Sequence, residues 1–337
     1  MEEISGVISV AKVRNKDIHK DVRLVGSLLR RIMPSFTTEQ FYKLGEKCEK
    51  FLTGKWLGRK TVAESRYIDR PDGSRLRLLV CRAKGGTKPH ATGLLWIHGG
   101  GYAIGAPEQD FFFVDPMVRD GGCVAVMPAY TLATKAPYPA ALEDCYLALL
   151  WMRAHAEELG INPHQLFVGG DSAGGGLTAA VCLYARDRAE VNIAFQIPLY
   201  PMLDDRMITA SSRDNDAPVW NTASKTAAWA LYLKGIDRDH VPIYASPARA
   251  EDLHGLPPAC TYVGTVEPFY DETLDFVARL RACGVDVRYR EYPGCFHAFD
   301  MMGAGTKIGK DARAFLMESF FDAQTHYFSE NGNPAVK

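Results

Sequence analysis

No stretch of this 337-residue sequence is apolar for long enough to cross a membrane, and its opening residues, MEEISGVISVAKVRNK, hold no uninterrupted apolar core of a secretory leader. Neither sign of charge is in excess. The 39 Lys and Arg stand against 40 Asp and Glu, so the overall balance argues for neither nucleic acid nor an anionic membrane as partner. The eight cysteines (Cys48, Cys81, Cys123, Cys145, Cys182, Cys260, Cys283 and Cys295) form no C-x-x-C pair, and several lie in apolar runs. They are expected to be reduced and mostly buried. There is no H-E-x-x-H or comparable cluster of metal ligands, and no G-x-x-x-x-G-K-[ST] phosphate loop. These absences lead to the expectation of a cytoplasmic globular protein that needs neither metal nor organic cofactor.

What is present is a glycine-rich stretch, Gln165–Gly176, reading QLFVGGDSAGGG. Leu166, Phe167 and Val168 have the character of a buried strand, and Leu177 to Arg186 runs without Pro or Gly, as a helix does. Gly170-x-Ser172-x-Gly174 therefore falls where a strand turns into a helix, the context of a nucleophile elbow. Glycines flanking the central serine remove Cβ atoms that would collide with strand and helix. Ser172 Oγ then projects beside the backbone N–H of Ala173 and the positive end of the helix.

The rest of the chain supplies a frame for that elbow. Helical spacing over Asp21–Met33 (Val22, Val25, Leu28, Leu29, Ile32) ends at Pro34. A second helix, with Thr37 and Gln40 as a capping box and an apolar face of Phe41, Leu44, Cys48 and Phe51, stops at Gly54. Thr61–Ile68 and Ser74–Arg82 read as an antiparallel hairpin. Strands follow at Gly93–Ile97 and Cys123–Met127, separated by a Gly-rich segment, and a helix over Pro139–Ala156 comes next. After a strand at Ile193–Leu199, the alternation lapses from Asp204 to Asp239 in a polar insertion with Trp220 and a helix near Ser224–Lys234. It resumes with strands at Ala259–Gly264 and Val285–Tyr292 and helices over Asp271–Cys283 and Lys310–Tyr327. Such alternation predicts an α/β fold, a mostly parallel sheet covered on both faces, with its ligand at the carboxyl ends of the strands. The divisions expected are an N-terminal arm or lid over residues 1–55, a core of 56–203 and 240–337, and the insertion 204–239.

A serine hydroxyl needs a base to take its proton, and the base needs an orienting acid. Of the four histidines after Ser172 (His240, His254, His297 and His326), only His297 follows a predicted strand directly, in YPGCFHAF. Glu267 ends the preceding strand, with Pro268 stiffening its turn, and is the expected acid. Asp271 and Glu272, at the start of the next helix, are its rivals, and Asp271 is otherwise explained as a cap. Trp96-Ile97-His98-Gly99-Gly100-Gly101-Tyr102 offers consecutive glycines whose N–H groups can face an oxyanion without side chains in the way.

With His98-Gly99-Gly100-Gly101, Gly170-Asp171-Ser172-Ala173-Gly174-Gly175 and His297 in that order, the chain resembles the hormone-sensitive-lipase-like carboxylesterases, bacterial family IV, from about Leu94 to Phe299. Pro137-Tyr138-Pro139-Ala140-Ala141-Leu142-Glu143-Asp144 also looks like that family's segment before its long helix. The resemblance implies an α/β-hydrolase core, a lid built from the N-terminal helices and the insertion, and Ser172, Glu267 and His297 as catalytic residues. It further implies the amides of Gly100, Gly101 and Ala173 as oxyanion donors, with His98, Gly99 and Asp171 in support. A small-molecule ester is the implied substrate, and a homodimer through the edge strand near Val285–Tyr292 the implied assembly. Two departures stand out. Glu267 replaces the family's Asp. The run Ala129-Tyr130-Thr131-Leu132-Ala133-Thr134-Lys135 lacks an Asp and an Arg that would form an ion pair, which leaves local packing there to be explained. An amidase or peptidase would use the same triad. A lyase of the plant isoflavonoid dehydratase type shares the motifs, and a binding protein such as a gibberellin receptor shares the scaffold without the histidine.

Overall fold

Eight strands that alternate between two apolar faces form one twisted sheet in the computed structural model, which describes residues 12–49, 53–55, 58 and 60–329. The strands are β1 (Thr61–Asp69), β2 (Arg75–Ala83), β3 (Ala91–Ile97), β4 (Val124–Pro128), β5 (Ile161–Asp171), β6 (Phe195–Leu199), β7 (Ala259–Gly264) and β8 (Val287–Tyr292). Their order is β1-β2-β4-β3-β5-β6-β7-β8. The β1–β2 hairpin and the β2–β4 pair are antiparallel, and every later pairing is parallel. The α/β expectation holds, with β8 as an edge strand.

The helices are α1 (Arg23–Ile32), α2 (Glu39–Glu49), α3 (Phe111–Gly121), α4 (Ala140–Ala154), the short α5 (Ala156–Leu159), α6 (Ala173–Arg188), α7 (Thr222–Tyr232), α8 (Tyr270–Ala282), the short α9 (Phe299–Met302) and α10 (Lys307–His326). Period-two alternation divides the strands between two cores. Leu95, Ile97, Val126 and Val168 face α4, α6, α7 and α8, whereas Leu94, Trp96, Met127 and Phe167 face α3 and α10. Among the described cysteines, Cys81, Cys123, Cys145, Cys182, Cys260 and Cys295 are buried and free, and Cys283 is half-buried. No helix among the described residues is long and apolar enough to cross a membrane.

The structure departs from the sequence reading in three places. Helix α3 lies where only a Gly-rich connection was expected. Its opening Phe111-Phe112-Phe113-Val114 has strand character and Pro116 sits inside it, so propensity argues against the helix that tertiary packing of Phe113, Val114 and Met117 selects. Helix α2 starts under Thr38, not Thr37: the Phe41 N–H donates to the Thr38 carbonyl at 3.0 Å and its hydroxyl at 3.4 Å. On α2, Tyr42 is the buried residue, while Phe41 and Leu44 are exposed; the Cys48 side chain and Phe51 lie outside the described residues. On α1, Val22 and Gly26 face inward while Leu28 and Ile32 face out.

The missing ion pair near Thr131 is replaced. Arg70, from the hairpin turn, grips Asp144 at the start of α4 with two hydrogen bonds of 2.5 and 2.9 Å. Asp144 also accepts from the Thr131 amide and hydroxyl, both at 2.7 Å. A carboxylate that buried is stable there because four donors meet it.

Candidate active site

Four loops converge at the carboxyl edge of the sheet. Pairing of Ile97 with Gly170 puts the end of β3 beside the end of β5, and pairing of Gly264 with Tyr292 aligns the ends of β7 and β8. Ser172 sits between β5 and α6 at φ 57° and ψ −118°, a strained backbone for a residue with a Cβ. Its neighbours show why they are glycines. A Cβ on Gly170 would lie 2.3 Å, and one on Gly174 2.0 Å, from the Ile97 carbonyl oxygen. The turn is held by the Ser172 N–H donating to Leu199 O at 2.9 Å and the Met202 N–H donating to Ser172 O at 3.0 Å.

The three residues singled out by sequence come together. His297 Nε2 lies 2.9 Å from Ser172 Oγ, and His297 Nδ1 is hydrogen-bonded to Glu267 Oε2. The other oxygen, Oε1, accepts from the Gly264 N–H at 2.9 Å, which fixes the carboxylate at the end of β7. Glu267 is fully buried, so its charge faces the imidazole with little solvent to weaken the interaction. Tyr200 and Phe269 hold the imidazole edge-on, with ring centroids 4.9 and 5.0 Å away. Asp271 is turned elsewhere: Oδ2 accepts from the Ser211 N–H at 2.7 Å, within the first turn of α8. It neither caps the helix nor reaches His297.

In the loop after β3, Gly100 (φ 114°) and Gly101 (φ 59°) take backbone conformations that favour glycine. The N–H groups of Gly100, Gly101 and Ala173 have no acceptor among the described residues. His98 shapes this loop without touching the serine. Its Nδ1 pairs with Gly99 O at 2.7 Å and its ring stacks on Tyr130 at 4.2 Å. Burial pushes its pKa down to about 4, so it stays neutral at pH 7. Asp171 Oδ1 accepts from the Gly99 N–H at 2.9 Å and ties the elbow to the glycine loop.

Some participants carry no motif. Asp110 is buried and accepts from Trp96 Nε1 at 2.7 Å; burial, and next to it the charge of Asp171, drive its pKa well up. Trp220, from the 204–239 insertion, packs so closely that a Cβ on Gly101 would lie 2.5 Å from its ring, and its centroid is 6.4 Å from that of His297. The N-terminal arm reaches the same region. Phe36 stacks on Trp220 at 6.3 Å, Tyr42 Oη donates to Ser224 O at 2.9 Å, and Asn221 Nδ2 donates to Ser35 Oγ at 2.7 Å. Trp220 in the insertion was visible beforehand, and the resemblance suggested that arm and insertion form a lid; Asp110 and the particular contacts of Phe36, Tyr42 and Asn221 were not. Among the described residues one trio of metal-type ligands, Asp252, His254 and Cys283, lies within 4.8 Å, and it shares no residue with this cluster.

A serine on a strand–helix elbow, facing a histidine and a buried carboxylate across the carboxyl edge of such a sheet, is the arrangement of an α/β hydrolase. The family described as alpha/beta hydrolase fold matches residues 94–301, and the chain belongs to it, in its hormone-sensitive-lipase-like branch. A carboxylesterase of Mycobacterium tuberculosis, NlhH, is 34% identical over 216 residues, which are 61% of this chain and 66% of that protein, just under two thirds of its length. Among solved structures, a bacterial heroin esterase superposes with a TM-score of 0.84 at 30% identity, over 92% of this chain and 98% of its own. The esterase LipW from Mycobacterium marinum gives 0.83 at 25% identity, over 93% and 98%.

Proposed function

We propose that this protein is a serine carboxylesterase that cleaves short-to-medium acyl esters through an acyl-enzyme. The observation that carries this reading is the continuous hydrogen-bonded line from Ser172 Oγ through the imidazole of His297 to Glu267. In the first half-reaction His297 takes the hydroxyl proton as Ser172 Oγ bonds to the ester carbon, and Glu267 stabilises the imidazolium. The unengaged amides of Gly100, Gly101 and Ala173 receive the negative charge on the former carbonyl oxygen. His297 then protonates the departing alcohol. In the second half-reaction it draws a proton from water as the water oxygen bonds to the acyl carbon, then returns that proton to Ser172 Oγ as the acid leaves. No step requires a metal or organic cofactor, and the substrate is the only partner the chemistry calls for.

Residues 56–203 and 240–337 act as the catalytic core in this reading, and the N-terminal arm with the 204–239 insertion as a lid. Ser172 and His297 are each only 4% exposed, and Trp220, on which Phe36 stacks, packs against Gly101 and beside His297, so these are the side chains a substrate would displace. The exposed edge at β8 is available to pair with a second copy, and sedimentation at micromolar concentration tests that assembly. For the activity, hydrolysis of p-nitrophenyl esters from acetate to laurate is expected to peak at short chains and to vanish in Ser172→Ala. Turnover of matched anilides in preference to esters would favour an amidase instead.

A further inference from the structure

Helix α1 presents an apolar stripe to solvent. Leu24, Leu28 and Ile32, spaced one turn apart, are 85%, 58% and 62% exposed, and Phe41 and Leu44 of α2 are exposed as well. The helix is nevertheless firmly seated. Val22 and Gly26 are buried on its inner face, where a Cβ on Gly26 would lie 2.8 Å from the ring of Phe296. Arg30 Nη2 donates to Val13 O at 2.8 Å and Asp216 O at 3.2 Å. The stripe therefore faces outward in the docked helix itself.

Charge points to what covers the stripe. Residues 12–33 hold seven Lys and Arg against two Asp, a net of five positive charges in a chain whose total is −1. Helical periodicity sets Arg31 on the stripe's own face, three residues beyond Leu28. Lys12, Lys20 and Arg31 are exposed and have no carboxylate partner among the described residues. A second copy meeting this face about a two-fold axis would oppose two strongly positive segments. An apolar protein groove would leave the cations unused.

We propose that α1 docks the protein on an anionic bilayer. The helix lies in the headgroup plane, with Leu24, Leu28 and Ile32 at the acyl boundary and the surrounding Lys and Arg side chains at the phosphates. Its inner face touches Phe296, next to His297, so docking turns the proposed catalytic end toward the membrane; the docking itself does not depend on the esterase reading.

Cosedimentation of the full chain with phosphatidylcholine vesicles, with and without phosphatidylglycerol, tests this. Wild type is expected to pellet with the anionic vesicles alone, and less so as salt rises. Leu24→Ser/Leu28→Ser/Ile32→Ser is expected to lower the partition coefficient at least about tenfold, with the far-UV spectrum and the p-nitrophenyl acetate rate unchanged. Lys20→Glu/Arg31→Glu is expected to weaken binding through charge alone. Wild type remaining in the supernatant with anionic vesicles, or a triple variant that pellets equally, overturns the proposal. So does a wild-type dimer that the triple variant converts to monomer, since a second copy would then be the occupant.

Discussion

Glu267 is one methylene longer than the aspartate its family usually carries, yet its two oxygens serve two partners, the His297 ring and the Gly264 amide. Removing its charge while keeping its shape isolates its role. Glu267→Gln is expected to lower kcat/KM on p-nitrophenyl butyrate by roughly 10³–10⁴, and Asp271→Asn by no more than about threefold. The reverse ranking would return the acid role to Asp271. Asp300 is a second informative carboxyl, fully buried under the hydroxyls of Tyr262 at 2.5 Å and Tyr200 at 3.2 Å. Burial raises its pKa to about 6 from 3.8. A folded-state pKa above the unfolded one means stability that is complete below about pH 4 and lost as pH rises through about 6. Wild type is therefore expected to lose on the order of 3 kcal/mol more than Asp300→Asn between about pH 4 and pH 8, read from urea midpoints.

The elements that meet at the site differ in how far their sequences announce them. The elbow was legible because its constraint is local: a strained serine flanked by residues whose Cβ atoms would strike the Ile97 carbonyl admits little but G-x-S-x-G. The β1–β2 hairpin and the strands leading to Glu267 and His297 were legible for the same reason, as alternating or apolar runs bounded by turn residues. Helix α3 was not, since aromatic residues and an internal proline obscure it until the Trp96 side of the core selects it. Nor was the tether of α7. Lys225, completely buried, pairs with Glu272 of α8 at 2.5 Å and joins the insertion to the helix that follows the Glu267 turn. Sequence alone does not reveal such a pair, because its members lie far apart in the chain. Lys225→Met leaves a buried carboxylate without its cation and is expected to cost about 3–5 kcal/mol. Adding Glu272→Gln in the same chain recovers part of that loss, a coupling that a double-mutant cycle of urea unfolding reads directly.

At the scale of the whole molecule, near-neutral total charge conceals a strong asymmetry, with a net of five positive charges on residues 12–33 and a net negative remainder. Composition averaged over 337 residues cannot show this, and it explains why the sequence offered no argument for a membrane partner while the fold does. Periodicity left the N-terminal helices and the 204–239 insertion without a role, and only the family resemblance suggested that they form a lid. Contacts of Phe36, Tyr42, Trp220 and Asn221 join them over the loops bearing Gly101 and His297.

Every step of the proposed ester cleavage depends on Ser172 being a nucleophile activated by His297. Intact-mass and peptide analysis after incubation with a diethyl p-nitrophenyl phosphate is its most direct test. One diethylphosphoryl group per chain is expected, carried on the peptide containing Ser172, with loss of ester turnover in step, no labelling of Ser172→Ala and much slower labelling of His297→Ala. Ester turnover that survives with Ser172 unmodified, or a label on any other residue that tracks the loss of activity, would contradict it.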